Sequence, residues 1–399
     1  MNLWNQHRRF LVAAFLLAMS VCNVTLVFRL VPSLRNGYQD FTIFYSGARL
    51  IRNGQASALY DLATQYQEQL TFAHVPIRQG PLPYNHPPFE ALLFVPFTLL
   101  DYWPAYLLWT AINLIMLAVS VIFLRRHFRR LASIPTFFWG LGATAFYPVT
   151  IAIMHGQDVI LLLLLFVLAI ICLDRGNDAT AGALLAAGLF RPQLALPLVA
   201  LIAIRRWRVL VGFAPVAIVL VAISMAIVGW NGSIEYVRFV LHLEEIGARA
   251  YDPLSVPNLR GLIVGLTGLS VSGPWTAILI LGSSLVVFFA ALRRIRNGRD
   301  SMVFVSSLAV VTTILVSFHA LVHDLSLLLP ISLFLLFRSV DFGGEKVDVG
   351  ALFLVFLLFL TPLYAFLLLL VKRFFWFSLV LLWLYLWLLQ TPVTEDMPV

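Results

Sequence analysis

Asp40 stands immediately ahead of Phe41, Phe44, Tyr45 and Ala48, apolar positions at helical spacing. A carboxylate at the head of such a helix either caps it or acts in a partly apolar pocket as a general base. The residues alone leave both readings open. His323, before Asp324-Leu325, has a similar pair of readings: a histidine paired with the neighbouring acid, or a second base. His319 lies one turn earlier and reads as support. Arg191 interrupts an apolar stretch at Phe190-Arg191-Pro192. A guanidinium at a helix centre costs about 2.5–3.5 kcal/mol on insertion scales, so it calls for a partner or for water. Its planar fork suits a lipid phosphate; the plainer alternative is a side chain that reaches water or backbone carbonyls. The remaining polar groupings are Tyr84-Asn85-His86, His155-Gly156-Gln157-Asp158 and Asn258-Leu259-Arg260. Each reads either as a polar turn at a headgroup surface or as part of a substrate site.

The elements that must hold these residues are membrane helices. Of the 399 residues 61% are hydrophobic and 12% charged, about half the charge of a soluble domain, which predicts an all-α polytopic membrane protein. The net charge of +8 then belongs to topology, since basic residues collect in cytoplasmic loops, and a nucleic-acid partner is not expected. Cys22 and Cys172 both lie in apolar runs, which argues against a disulfide framework or a cysteine metal site. Arg8-Arg9 precede the uncharged run Phe10 to Phe28, read as an uncleaved anchor with its N-terminus inside.

The stretch Gly37 to Tyr60 follows as one wall of a site at the membrane surface. Its helix should stop at Asn53-Gly54, a second should begin near Asp61, and the proline-rich Pro81 to Pro88 should be an elaborated loop. Pro88 to Leu100, about 13 residues, is short for a crossing. Pro104 to Leu124 then runs inward and delivers Arg125, Arg126, Arg129 and Arg130 to the cytoplasm.

Crossings are expected at about 132–152, 159–173, 209–229 and 273–292, with Arg293, Arg294, Arg296 and Arg299 inside after the last of these. Two half-length helices meet at Arg191, and Arg205-Arg206-Trp207-Arg208 forms a cytoplasmic loop. A second external loop at 230–272 carries a surface helix after Asn258. Segments at about 302–318 and 325–338 flank His319, His323 and Asp324; Arg338 to Asp348 lies inside, and two last crossings return the tail Thr394 to Val399 to the cytoplasm. The total is about twelve transmembrane or half-membrane helices in a single domain, residues 1–399, with a core at 37–330 and C-terminal helices at 339–399. On this topology the polar groupings all face outside, as around one cavity. There is no Walker loop, zinc-protease motif, nucleophile elbow or Rossmann fingerprint. No inverted repeat of the transporter kind is visible.

In order and spacing, Asp40-Phe41 with Tyr45 and Gly54, Leu59-Tyr60-Asp61, Tyr84-Asn85-His86-Pro87-Pro88, His155-Gly156-Gln157, Gly182 to Pro192, Asn258-Leu259-Arg260-Gly261 and Ser317 to Pro330 resemble glycosyltransferase family 87. These are bacterial mannosyltransferases that use polyprenyl-phosphate mannose, together with their relatives. The resemblance implies a C-type integral-membrane glycosyltransferase fold in the bacterial inner membrane, with its active site facing outside. It also implies a hexose, mannose by precedent, moved with inversion from a polyprenyl-phosphate donor to a lipid or glycan acceptor.

By the same resemblance Asp40 and His323 match the family's functional acid and its proposed catalytic histidine. Tyr45, Tyr84, His86, His155, Gln157, Arg191, Asn258, Arg260, His319 and Asp324 would line the substrates, with Arg191 or Arg260 on the phosphate. The chain departs from the family pattern in carrying Arg191 where Lys is frequent and Phe318 where a proline often follows the serine. A lipid-linked donor needs no nucleotide, so no cofactor and no metal are expected; membrane lipids are the remaining partner. The competing classes are a lipid or polysaccharide transporter and a non-catalytic relative that binds a lipid-linked sugar.

Overall fold

The computed structural model describes residues 3–37, 39–73, 82–128, 131, 134–242, 252–298, 300–341 and 349–391. Arg129, Arg130, Arg299, Pro81, residues 342–348 of the expected cytoplasmic segment and the tail Thr394 to Val399 fall outside these residues. Every regular element among the described residues is a helix, with no strand among them. Among the described residues four helices are long and apolar enough to cross a membrane: α1 (Leu3–Arg35), α5 (Tyr102–His127), α11 (Val209–Leu241) and α13 (Pro274–Asn297). Two bent pairs raise the count to six if each is one span. The long helices turn bare apolar side chains outward, among them Phe10, Ile218, Val221, Leu281 and Val286. A helix can do this in lipid because its backbone bonds are satisfied internally.

Between α1 and α5 the first long connection folds as α2 (Phe41–Arg52), α3 (Leu62–Leu70), α4 (Pro88–Phe94) and a 3-10 turn, Val95–Leu99. Two of these limits match the sequence reading: α2 stops before Gly54, at φ 74°, and Asp61 caps α3 by accepting from Thr64 N at 2.7 Å. The extended segment before α4 cannot pair its own backbone. Two glutamines of α3 do so instead. Gln69 donates to the Leu82 carbonyl and accepts from Leu82 N, while Gln65 accepts from Tyr84 N at 2.8 Å. Buried backbone groups are almost always paired, and here side-chain amides supply the partners.

The region read as one crossing at 132–152 is a broken pair, α6 (Thr136–Ala145) and α7 (Tyr147–Met154), bent by 68°. Pro148, early in α7, suits a restart. Beside the break, Asn23 of α1 donates to the Thr144 carbonyl at 2.9 Å and accepts from Thr361 at 2.9 Å, a polar clamp across three helices. Next come α8 (Val159–Asp174), α9 (Asp178–Ala187) and α10 (Pro192–Ala203), and a short 3-10 turn brings α9 to Arg191. Gly182 of α9 and Gly212 of α11 lie backbone to backbone: a Cβ at either would fall on a carbonyl of the other helix.

The second expected loop, 230–272, begins differently from the sequence reading. Helix α11 continues to Leu241 through a kink at Gly229, whose φ of 72° suits glycine. Asn258 does cap a surface-type helix, α12 (Leu259–Thr267), accepting from Gly261 N at 2.9 Å. The chain ends with α14 (Met302–Val316), a 3-10 segment Val322–Leu328, α15 (Leu329–Asp341), α16 (Val349–Phe359), α17 (Thr361–Ala365) and α18 (Ser378–Gln390). The segment expected at 325–338 as one crossing is thus part 3-10 and part α-helix. The pair α16 and Thr361–Leu370 is bent by 57°.

Candidate active site

Five separate stretches meet at one buried polar cluster: the head of α2, the extended segment into α4, the turn between α7 and α8, the turn before α10, and the 3-10 segment 322–328. Helix α5 holds the third of these in place. Tyr106 Oη donates to the Met154 carbonyl at 2.7 Å, Trp109 Nε1 to Gly156 O at 2.9 Å and Asn113 Nδ2 to Gln157 O at 3.3 Å. Phe41 N donates to His155 O at 2.9 Å from the other side. Gly156 has φ +64°, and a Cβ there would lie 2.8 Å from Phe41 Cβ. Only glycine fits both the left-handed backbone and the close approach of α2.

Asp40 does not cap α2. It sits at the N-cap in helical conformation, φ −68° and ψ −16°, with no hydrogen bond from its side chain to the helix. Its carboxylate turns to the α7–α8 turn, where Gln157 Nε2 donates to Oδ2 at 2.7 Å and His155 Nδ1 lies 3.2 Å away. The other face of the Gln157 amide accepts from Arg191 Nη2. One glutamine thereby ties the acid to the guanidinium, and its amide orientation is determined by having a carboxylate on one side and a cation on the other.

Arg191 has its partners inside the protein. Nε donates to Asp158 Oδ1 at 2.7 Å and Nη1 to Asp324 Oδ1 at 2.8 Å, and His323 Nε2 lies 3.4 Å from Nη1. Asp324 in turn accepts from Leu321 N at 2.8 Å through Oδ2, which fixes the start of the 3-10 segment. Exposure grades across the cluster: the Asp158 and Asp324 side chains are 0% exposed, Arg191 4%, His323 5%, Asp40 18% and His155 21%. Asp40 and His155 therefore form its open end.

His86 borders the same cluster. Tyr60 Oη donates to its carbonyl at 2.8 Å, its ring packs edge-on to Phe44, and its Nδ1 lies 2.7 Å from Glu90 Oε2. Burial pushes the imidazole down to about 4, so it is neutral at physiological pH.

The other sequence candidates form hydrogen bonds outside the Asp40–Gln157–Arg191 chain. Tyr45 is buried among Phe41, Phe72 and Tyr102 with its hydroxyl on Leu100 O at 2.7 Å. Tyr84 is buried and donates to Pro87 O at 3.1 Å. Asn258 Nδ2 donates to Ser317 O at 2.7 Å, so the cap of α12 also anchors the 317–324 turn. Arg260 lies over the Phe318 ring at 4.0 Å and donates to its carbonyl at 3.2 Å; burial lowers its pKa to about 10, which leaves it charged at neutral pH.

His319 shares that turn, and burial holds its imidazole at about 4. The neutral form is then favoured by folding, and the unfolded chain binds the extra proton between pH about 6.5 and 4. The His319 contribution should be fully present above about pH 6.5 and fall progressively toward pH 4. Thermal unfolding in detergent should show this slope, shallower in His319→Gln. An equal slope in the variant would refute the assignment.

Two members of the cluster escaped the sequence reading as site residues, Glu90 and Asp158. Glu90 is the lone acid in the apolar stretch Pro88 to Leu100, four residues after His86. Its expense in such a run was the available signal. Asp158 was legible as part of a polar turn, and a counter-charge for Arg191 was the reason to single it out.

A model of glycosyltransferase family 87 matches residues 84–317, more than half of the chain. No curated protein and no solved structure matches it.

Proposed function

Because the chain belongs to glycosyltransferase family 87 and is a membrane glycosyltransferase, we propose that it moves a hexose, mannose by family precedent, from a polyprenyl-phosphate donor to a lipid or glycan acceptor. The fold class proposed with it is the C-type one. The proposed setting is the bacterial inner membrane, with both termini cytoplasmic and the cluster facing outside.

The observation that carries this reading is the Asp40 carboxylate: withheld from helix capping, oriented by Gln157, and at the accessible end of an otherwise buried charge network. An acceptor hydroxyl approaching Asp40 would give up its proton to the carboxylate as its oxygen attacks the anomeric carbon. The bond from that carbon to the donor phosphate breaks, polyprenyl phosphate leaves with the electron pair, and the anomeric centre inverts. His323 is 5% exposed, with Nε2 3.4 Å from Arg191 Nη1, which leaves it less open to an acceptor than Asp40. Arg191 has Nε and both terminal nitrogens engaged by Asp158, Asp324 and Gln157. Arg191, or Arg260 on the Phe318 turn, is the proposed cation for the departing phosphate.

Membranes containing the protein, from cells unable to make polyprenyl-phosphate sugars, should transfer label from added polyprenyl-phosphate mannose and not from a nucleotide-linked mannose. Direct use of the nucleotide sugar would overturn the donor assignment. Binding or translocation of the lipid-linked sugar without transfer would favour the transporter or non-catalytic reading.

A further inference from the structure

We propose that His86, Glu90 and Asp158 form a divalent-cation site. One donor atom from each residue lies within 4.8 Å of the others. His86 Nδ1 is 2.7 Å from Glu90 Oε2 and 3.8 Å from Asp158 Oδ2. Donors around one tetrahedral ion at about 2.1 Å stand about 3.4 Å apart, between these two separations. The three residues need little movement to share an ion.

A second observation points the same way. Glu90 Oε1 is buried without a hydrogen-bond partner, and Glu90 Oε2 and Asp158 Oδ2 have none of hydrogen-bond geometry beyond their approach to His86 Nδ1, on side chains 1% and 0% exposed. Buried acceptors are ordinarily satisfied, and an orphan of this kind asks for an explanation. Charge sharpens the question. Three buried carboxylates, Glu90, Asp158 and Asp324, surround the guanidinium of Arg191, which is engaged by the two aspartates. Glu90 lies against the His86 imidazole and the Asp158 carboxylate, and a cation between the three would offset the repulsion of the two acids.

The donor set indicates which ion. One imidazole nitrogen with two carboxylates suits Zn²⁺ or Mn²⁺ better than the all-oxygen preference of Ca²⁺ or Mg²⁺. One outer contact of the kind that steadies metal ligands is present as well: Asp158 accepts from Arg191 through its other oxygen. The ion would clamp the first long connection, through His86 and Glu90, onto the head of α8. Three protein ligands leave a position for water or a substrate oxygen. The site stands whatever sugar or lipid the enzyme transfers.

The full chain, purified in detergent, stripped with a chelator and dialysed, is titrated separately with Zn²⁺ and Mn²⁺. The readouts are bound metal per chain and thermal unfolding. The expected result is saturable binding of about one equivalent of at least one ion, with a raised unfolding temperature, and affinity at least about tenfold weaker in Glu90→Gln. His86→Gln serves as the second variant should Glu90→Gln fold poorly. Absence of saturable binding of either ion by the folded wild type would overturn the proposal. So would undiminished binding in a folded ligand variant, which would mean metal held elsewhere on the surface.

Discussion

Asp40→Asn is expected to lower transfer from a labelled polyprenyl-phosphate sugar by a factor of about 100 or more at unchanged folded yield, since general-base catalysis contributes about 10² to 10⁴. Few substitutions separate chemistry from structure this cleanly. The wild-type carboxylate makes no capping bond that Asn would lose, and the Asn carbonyl oxygen can still accept from Gln157 as Oδ2 does at 2.7 Å. What disappears is the charge and the ability to take a proton. The loss should fall on kcat, with KM for the donor little changed, because proton removal belongs to the transition state. Asp40→Ala should also lose activity, and in addition leave the Gln157 amide short of a partner, so its yield should drop where that of Asn does not. Normal transfer by a well-folded Asp40→Asn protein would sink the base assignment and move it to His323.

The contrast between Asp40 and Asp61 shows where sequence reading stops. Both precede helices, and both are residues that caps prefer. Asp61 caps α3, whereas Asp40 points away to a glutamine 117 positions later in the chain. Nothing within a helical turn of Asp40 distinguishes the two. Local chemistry was legible because its causes are local: the Asn53-Gly54 stop of α2, the Asn258 cap of α12, the short apolar run at Pro88. The demand of Arg191 for a partner was legible too, from the cost of a guanidinium in an apolar stretch. The identity of the partners was not, because Asp324 is 133 positions away and reaches it only through a 3-10 segment that periodicity does not announce. The break at Phe146 was missed for a related reason, and so was the continuation of α11 beyond Gly229, where the crossing was expected to end. Hydropathy averages over a bend, and a run apolar enough for one crossing reads alike whether it is straight or folded by 68°.

Arg191→Gln should be the most damaging single change to stability. Removing one partner of a buried ion pair typically costs about 3–5 kcal/mol, because the charge left behind is neither solvated nor compensated. Here two carboxylates, Asp158 and Asp324, would be left at 0% exposure. Gln157 would lose the donor on one face of its amide, so the orientation of Asp40 would go with it. The expected result is a large loss of monodisperse protein in detergent, with a lowered unfolding temperature in whatever remains. Arg191→Lys retains the charge but as a compact point, which cannot reach Asp158, Asp324 and Gln157 in one plane. It should recover yield in part and activity less. The decisive comparison is the triple change Arg191→Gln, Asp158→Asn, Asp324→Asn: if uncompensated charge is what destabilises the single variant, neutralising both aspartates should restore much of the yield without restoring transfer. A single variant as stable as the wild type, or a triple variant no better than the single, would mean that the helices around this cluster are held by their apolar packing alone.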